Sequence, residues 1–203
     1  MADRVKIYID GQNVYNCARV AFFPHRHDRH FTDGQFDPMA LGRLLASRDT
    51  RGFARDVDEV RVYTGRPDSA KDPRTYAAHM KQCARWTADG CTVIHRPLRY
   101  PFDHPRVPAQ EKGIDVQLSI DVVAGAIDRD YDIAVVFSTD TDLRPAIEFV
   151  ANRFTGLPRI ELAAWSSPTS VRRIPVSGDR AVWCHHLDHF DYEEVADATD
   201  YTK

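Results

Sequence analysis

The sequence predicts a three-layer α/β/α sandwich around a central, mostly parallel sheet with strands in the order 3-2-1-4-5. Three observations carry that expectation. Apolar runs of strand length alternate with helix-length stretches along most of the 203 residues. One run, YDIAVVFST (131–139), is almost continuously apolar, as a strand buried on both faces should be. Two further stretches open on Asp-Pro, at Asp37–Pro38 and Asp72–Pro73, which reads as a helix N-cap followed by proline at the first helical position.

The elements follow in order. VKIYID (5–10) is short, apolar and β-branched, hence strand one; GQNVYNCARVAF after it reads as a helix. PHRHDRHFTDGQF is a long polar loop, and DPMALGRLLASR a helix capped by Asp37. VDEVRVYTG (57–65) is strand two. The stretch 72–90 is a helix from the Asp72 cap to Gly90, a natural residue for the turn past a helix end. CTVIHRPL (91–98) is strand three, followed by a proline-broken loop over 99–113. Residues 114–127 form a helix whose apolar face is expected at Val116, Ile120, Val123 and Ile127. Strand four covers 131–139, LRPAIEFVANRF is helical, and RIELAAW (159–165) is strand five. The last stretch is acidic until Lys203 and reads as a solvated or frayed tail.

Composition narrows the function. Hydrophobic residues at 43% can build a core, and charged residues at 28% do not suggest disorder. A net charge of −3 excludes a uniformly basic nucleic-acid coat, while leaving room for a local basic groove. Arginine outnumbers lysine 22 to 5; its fork suits phosphates, although a GC-rich genome leaves the same skew. Cysteines 17, 83, 91 and 184 form no CxxC pair and read as structural thiols of a reducing cytosol. The opening MADRVKIYIDG has no long apolar stretch, so no signal peptide is expected. No apolar run approaches the roughly 18 residues of a membrane span. A cytoplasmic protein with no membrane partner is the expectation.

The chemistry should sit at the strand ends. In open parallel sheets, ligands bind beyond the carboxyl ends of the strands where the order reverses. Asp10 ends strand one, and Asp140 and Asp142 follow strand four. With strands one and four adjacent, three carboxylates converge, and in a dry crevice they raise one another's pKa. Mg²⁺ or Mn²⁺, which prefers oxygen ligands and keeps several waters, resolves that conflict. Asp115, at the start of the helix feeding strand four, offers a fourth carboxylate. Asn13 is placed to orient a water or a phosphate oxygen, and Lys112 and Arg144 to touch phosphates. Ser138 and Thr139 in the same turn, with Arg96 and Arg99, join the substrate-facing candidates; Arg66, Arg106, Arg172 and Arg173 complete a groove set. Asp121 falls on another side of the helix and reads as a supporting residue. Each residue also has a plain structural role open to it: Asp142 as a helix cap, Asp10 with Asn13 as an Asx-type turn.

IYIDGQNVY (7–15), KGIDVQLSIDVV (112–123) and VVFSTDTDLRPAI (135–147), in that order, resemble the NYN domain, a branch of the PIN-like ribonucleases. The resemblance implies a PIN-like sandwich over residues 1–180, with 181–203 as an acidic C-terminal extension. It implies metal-dependent hydrolysis of RNA, single-stranded or looped, to 5′-phosphate and 3′-hydroxyl products. Asp10, Asp115, Asp140 and Asp142 would hold the metal and catalyse, with Asn13 as accessory. Thr139 stands where the family often has Gly, and Leu143 where Phe is common; neither removes a carboxylate. DNA as a substrate, a homodimer, and one metal or two stay open.

Two rivals stand beside this reading. STDTD also resembles metal-dependent adhesion sites, so a non-catalytic binding module or a degenerate NYN domain is an alternative. A haloacid-dehalogenase-type phosphatase would want Asp-x-Asp after strand one, where this chain has DGQN. HRHDRH (25–30) and HHLDH (185–189) lack a zinc partner at a diagnostic distance and read as a polar loop and a terminal segment. No phosphate-binding glycine loop occurs, so nucleotide cofactors are unsupported.

Overall fold

A computed structural model describes residues 2–203 apart from 26, 28, 49–51, 53 and 179. Arg26 and Asp28 of the histidine-rich loop thus lie outside the described residues. The chain runs β1 (Asp3–Asp10), α1 (Gly11–Phe22), α2 (Pro38–Ser47), β2 (Arg55–Arg66), α3 (Pro73–Ala88), β3 (Thr92–Pro97), α4 (Ile114–Asp128) and β4 (Ile133–Phe137). A short 3₁₀ turn (Thr141–Leu143) leads into α5 (Arg144–Arg153), β5 (Arg159–Ser167), β6 (Ser170–Val171), β7 (Cys184–Leu187) and α6 (His189–Val195). Six strands are parallel, in the order β3-β2-β1-β4-β5-β7, and β6 folds back antiparallel on the end of β5. The expected 3-2-1-4-5 order holds and gains one strand.

Alternation along β1 divides the core into two layers. Val5, Ile7 and Ile9 face α1, α2 and α6, packing with Val14, Leu41, Leu45 and Tyr192. Tyr8 points the other way, toward Leu118 and Val122 of α4 and Ile147 of α5. β4 is buried throughout, as its apolar run requires. Both Asp-Pro starts are real: Asp37 accepts from the Met39 and Ala40 amides, and Asp72 from that of Thr75.

Two expectations are corrected. α4 packs on the sheet through Ile114, Leu118, Val122 and Ala126, while Val116, Ile120 and Ile127 are each 56% exposed. Both stripes are apolar, so periodicity alone chooses neither. Close approach decides between them, because a side chain at Gly125 would press on the Tyr131 ring at 2.8 Å. The acidic terminal segment is not frayed. Cys184–Leu187 pairs with Leu162–Trp165 of β5, and α6 carries an Asp188/Asp191 capping box. Tyr192 and Val195 reach the core from it, and Val195 accepts a 2.7 Å bond from the Asp37 amide. Leu187, Tyr192, Val195 and Tyr201, buried among many acids, anchor a stretch whose mean character is polar.

Candidate functional site

Pairing Ile9 with Phe137 brings the carboxyl ends of β1 and β4 side by side. Asp10, the last residue of β1, also caps α1, accepting from the Asn13 amide at 3.2 Å. Its other oxygen accepts from the Ser138 hydroxyl at 2.9 Å, and Ser138 Oγ in turn accepts from the Asp140 amide at 3.0 Å. One hydroxyl thereby ties the two strand ends together. Asp140 caps the 3₁₀ turn, accepting from the Asp142 amide at 2.9 Å. Asn13 Oδ1 accepts from the Thr139 amide at 3.0 Å and from its hydroxyl at 3.2 Å. That oxygen holds the turn.

Asp10 is 8% exposed. Burial pushes its carboxyl up to about 6, with the charges of Asp140 and Asp115 adding, against the opposing bonds from Asn13 and Ser138. Asp115 sits in the first turn of α4, where the helix dipole favours an anion. A further carboxylate joins them from the loop before α4. Glu111 is pushed up to about 7, by burial first and then by Asp10 and Asp115, although it accepts from the Gly65 amide. Sequence reasoning missed it. EKGID was on view, yet Glu111 lies at the end of a proline-broken loop whose path no period predicts. The backbone pairing of Arg99 with Gln110 folds that loop back onto the sheet end, and the αL conformation of Gly113 (φ 77°) turns it into α4.

Gly65 has no room for a side chain: a Cβ would meet Glu111 Cγ at 2.8 Å and Leu98 Cδ2 at 2.3 Å. The first is a mid-chain methylene and the second a terminal methyl, so both side chains would have to shift. Gly65→Ala is therefore expected to cost about 1–3 kcal/mol of stability, the usual range for overpacking, while swinging Glu111 away from Asp10. NMR titration of the carboxyl groups checks this, with Glu111 expected to return toward its ordinary 4.5.

The remaining candidates separate. Asp142 is exposed, two residues beyond Asp140 in the turn after β4. Arg144 bonds Glu148 at 2.8 Å and also donates to Ser177, pinning the loop before β7 instead of facing the crevice. Arg96 donates to Gln117 at 2.7 Å, and Gln117 to Asp121 at 2.9 Å. Asp121 accepts from the Tyr63 hydroxyl and pairs with Arg61, so it supports the sheet. Lys112 and Arg99 are exposed beside the loop that carries Glu111. Arg172 is close enough to Cys17 for its charge to act on that thiol, which itself lies 3.3 Å from Thr139 Oγ1. Arg66 meets His95 at 3.2 Å, Arg106 is exposed, and Arg173 lines a cleft of about 770 Å³ under α5, β5 and β7. His185 is in a strand, bonded to Glu161 at 2.8 Å, and makes no helical pair with His189.

A cation fits the charge pattern: the donors are all hard oxygens, and their mutual repulsion is what positive charge would relieve. Among the described residues, no three His, Cys, Asp or Glu side chains close into a ready-made metal cage. An open arrangement suits an ion that keeps its waters, as Mg²⁺ does.

The NYN domain family matches residues 4–155, most of the chain. This protein belongs to the NYN-domain family. NYN domains are PIN-like in fold, generally nuclease-like, and typically associated with divalent metals. A crystal structure of a Vibrio parahaemolyticus protein of unknown function is similar to this NYN domain over 93% of this chain and 94% of the other. The TM-score is 0.52 at 16% identity, a likeness of fold alone. No curated protein matches. No described helix is long and apolar enough to cross a membrane.

Proposed function

We propose that this NYN domain is a divalent-metal-dependent endoribonuclease acting on single-stranded or looped RNA. One observation carries the reading: Asp10, buried at the junction of β1 and β4, is held near 6 by burial beside Asp140 and Asp115. A fold gains nothing from that repulsion, and such arrangements cluster at sites of function. Mg²⁺ or Mn²⁺, when bound, supplies a Lewis acid that acidifies water and offsets charge on the scissile phosphate.

Asp10, Asp115 and Asp140 would hold the ion, with Glu111 beside them and Asp142 at the rim. Ser138 fixes the distance between Asp10 and Asp140, and Asn13 fixes the turn that carries Thr139 and Asp140. Lys112, exposed next to Glu111, would neutralise a phosphate of the incoming strand. RNA that is already unstacked can thread its phosphates past this rim.

Purified protein should cut single-stranded RNA with Mn²⁺ or Mg²⁺ and stop on chelation. Asp140→Asn should lower the rate at least about a hundredfold, the scale for losing one electrostatic contact to a transition state. The gathering of Asp10, Asp115 and Asp140 charges also suits one second reading, a metal-binding domain without hydrolysis. In that case metal raises the melting temperature only with Asp140 intact, and no RNA is cut. Cutting that survives both chelator and Asp140→Asn would sink both readings.

A further inference from the structure

Beside the carboxylate crevice lies a cleft of about 330 Å³, walled by α1, α3 and the end of β2. An inner hollow of about 180 Å³ shares Gln12, Tyr15, Gln35, Thr64 and Gln82 with it. The combined space is of the order of a small-ligand site. We propose that it holds one unstacked nucleobase of the strand whose phosphate lies at the carboxylates. The strand's identity rests on the ribonuclease reading above.

Four features select a base. The first is charge. No Lys or Arg lines either space, so a phosphate has no counter-charge there, and a neutral heterocycle needs none. Burial, with His95 and Arg66 nearby, holds His79 on the α3 wall down to about 4, leaving it neutral as well.

The second is a fixed aromatic face. The Tyr15 hydroxyl donates to the Phe31 carbonyl at 2.9 Å, and Arg19 lies over the ring at 5.2 Å from its centre while donating to that hydroxyl. A ring immobilised in advance stacks on a base without an ordering cost.

The third is a polar group that can read a base edge. The Gln82 carboxamide lines both spaces and can donate and accept on such an edge. Trp86, its ring stacked on Phe36, adds an aromatic wall to the inner hollow.

The fourth is adjacency. Glu111 borders the cleft and also feels Asp10 and Asp115. With its amide oriented to donate, Gln12 Nε2 lies 3.3 and 3.2 Å from the two Glu111 oxygens. Base and phosphate of one nucleotide would thus be read on the two sides of a single carboxylate.

The test separates binding from cutting. Affinity for a short fluorescein-labelled single-stranded RNA is measured by anisotropy in Ca²⁺, a hard cation that offsets the carboxylates, alongside versions each abasic at one position. The expected result is a roughly tenfold loss at one position, the scale of a single base–aromatic stack. Tyr15→Leu and Gln82→Ala should bind the intact strand as weakly as the abasic one, with no further penalty. Melting curves check that each variant is folded, and Gln82→Ala, on the half-exposed wall of α3, stands in if Tyr15→Leu unfolds.

No position-specific loss, a loss that both variants retain, or no binding of any strand overturns the proposal. Cleavage with Mn²⁺ is scored separately. Cutting without an abasic penalty in binding leaves the ribonuclease and removes the base site. A penalty abolished by the variants, without cutting, keeps the base site and removes the ribonuclease.

Discussion

Replacing Asp10 by Asn is expected to abolish RNA cleavage and to raise the melting temperature of the metal-free protein at pH 8. The Asp10 carboxyl is pushed from 3.8 to about 6 by burial and by its neighbours. Below pH 3.8 it is protonated in folded and unfolded chains alike and costs nothing. As pH rises from 3.8 to 6, the unfolded chain loses the proton first and the folded state falls behind. Above 6 the cost is complete, about 3 kcal/mol at about 1.4 kcal/mol per tenfold change in acidity. Asparagine removes the charge and can still cap α1. In a chain of this size the gain should reach roughly 5–10 °C at pH 8 and shrink toward pH 4. Glu111, pushed from 4.5 to about 7, tilts the wild-type profile the same way. Calorimetry in chelator at several pH values reads both effects. A variant melting below the wild type at pH 8 would show that the fold already compensates the charge. Added Mn²⁺ should close the gap by stabilising the wild type more.

The second large effect lies away from the crevice. Glu161, with its side chain 3% exposed, accepts from Arg55 at 2.9 and 3.1 Å, from Arg159 at 3.2 Å, and meets His185 at 2.8 Å. Burial alone would raise its carboxyl, but His185 and Arg55 outweigh it and hold the group down at about 2. Its contribution to stability is therefore fully present above 4.5 and is lost as pH falls toward 2. Glu161→Leu leaves buried positive charge without its carboxylate, and the expected loss is about 3–5 kcal/mol. Urea unfolding at pH 7 measures it. A single-variant loss below about 1 kcal/mol would refute this account of the network.

Local chemistry was legible in the sequence wherever a short stretch determines its own fate. The Asp-Pro starts and the apolar run of β4 need no distant partner to be read. Asp10 and Asp140 could be placed together because parallel sheets gather their strand ends. What stayed hidden depended on partners far along the chain. Glu111 reaches the crevice only because a loop closes through Arg99 and Gln110. α4 is apolar nearly all round, and the choice of buried face belongs to Tyr131 and Tyr8 meeting Gly125. Arg144 looked poised for phosphate until Glu148 and Ser177 claimed it. The terminal segment hid β7 because four short residues of strand carry little signal beside so many acids.

The two sides of the crevice also differ in when they can exist. Every carboxylate gathered there is supplied by β1, the loop before α4, α4 itself and the turn after β4. The neighbouring cleft is closed in part by Tyr201 and Thr202, and α6 secures the loop behind it when the Tyr192 hydroxyl bonds Gly34 and Gln35. A chain emerging from the ribosome would assemble its charged centre while that wall was still unmade. Contacts spanning so much of the sequence form late. The wall of the cleft thus depends on the last elements of the chain, and the carboxylates on earlier ones.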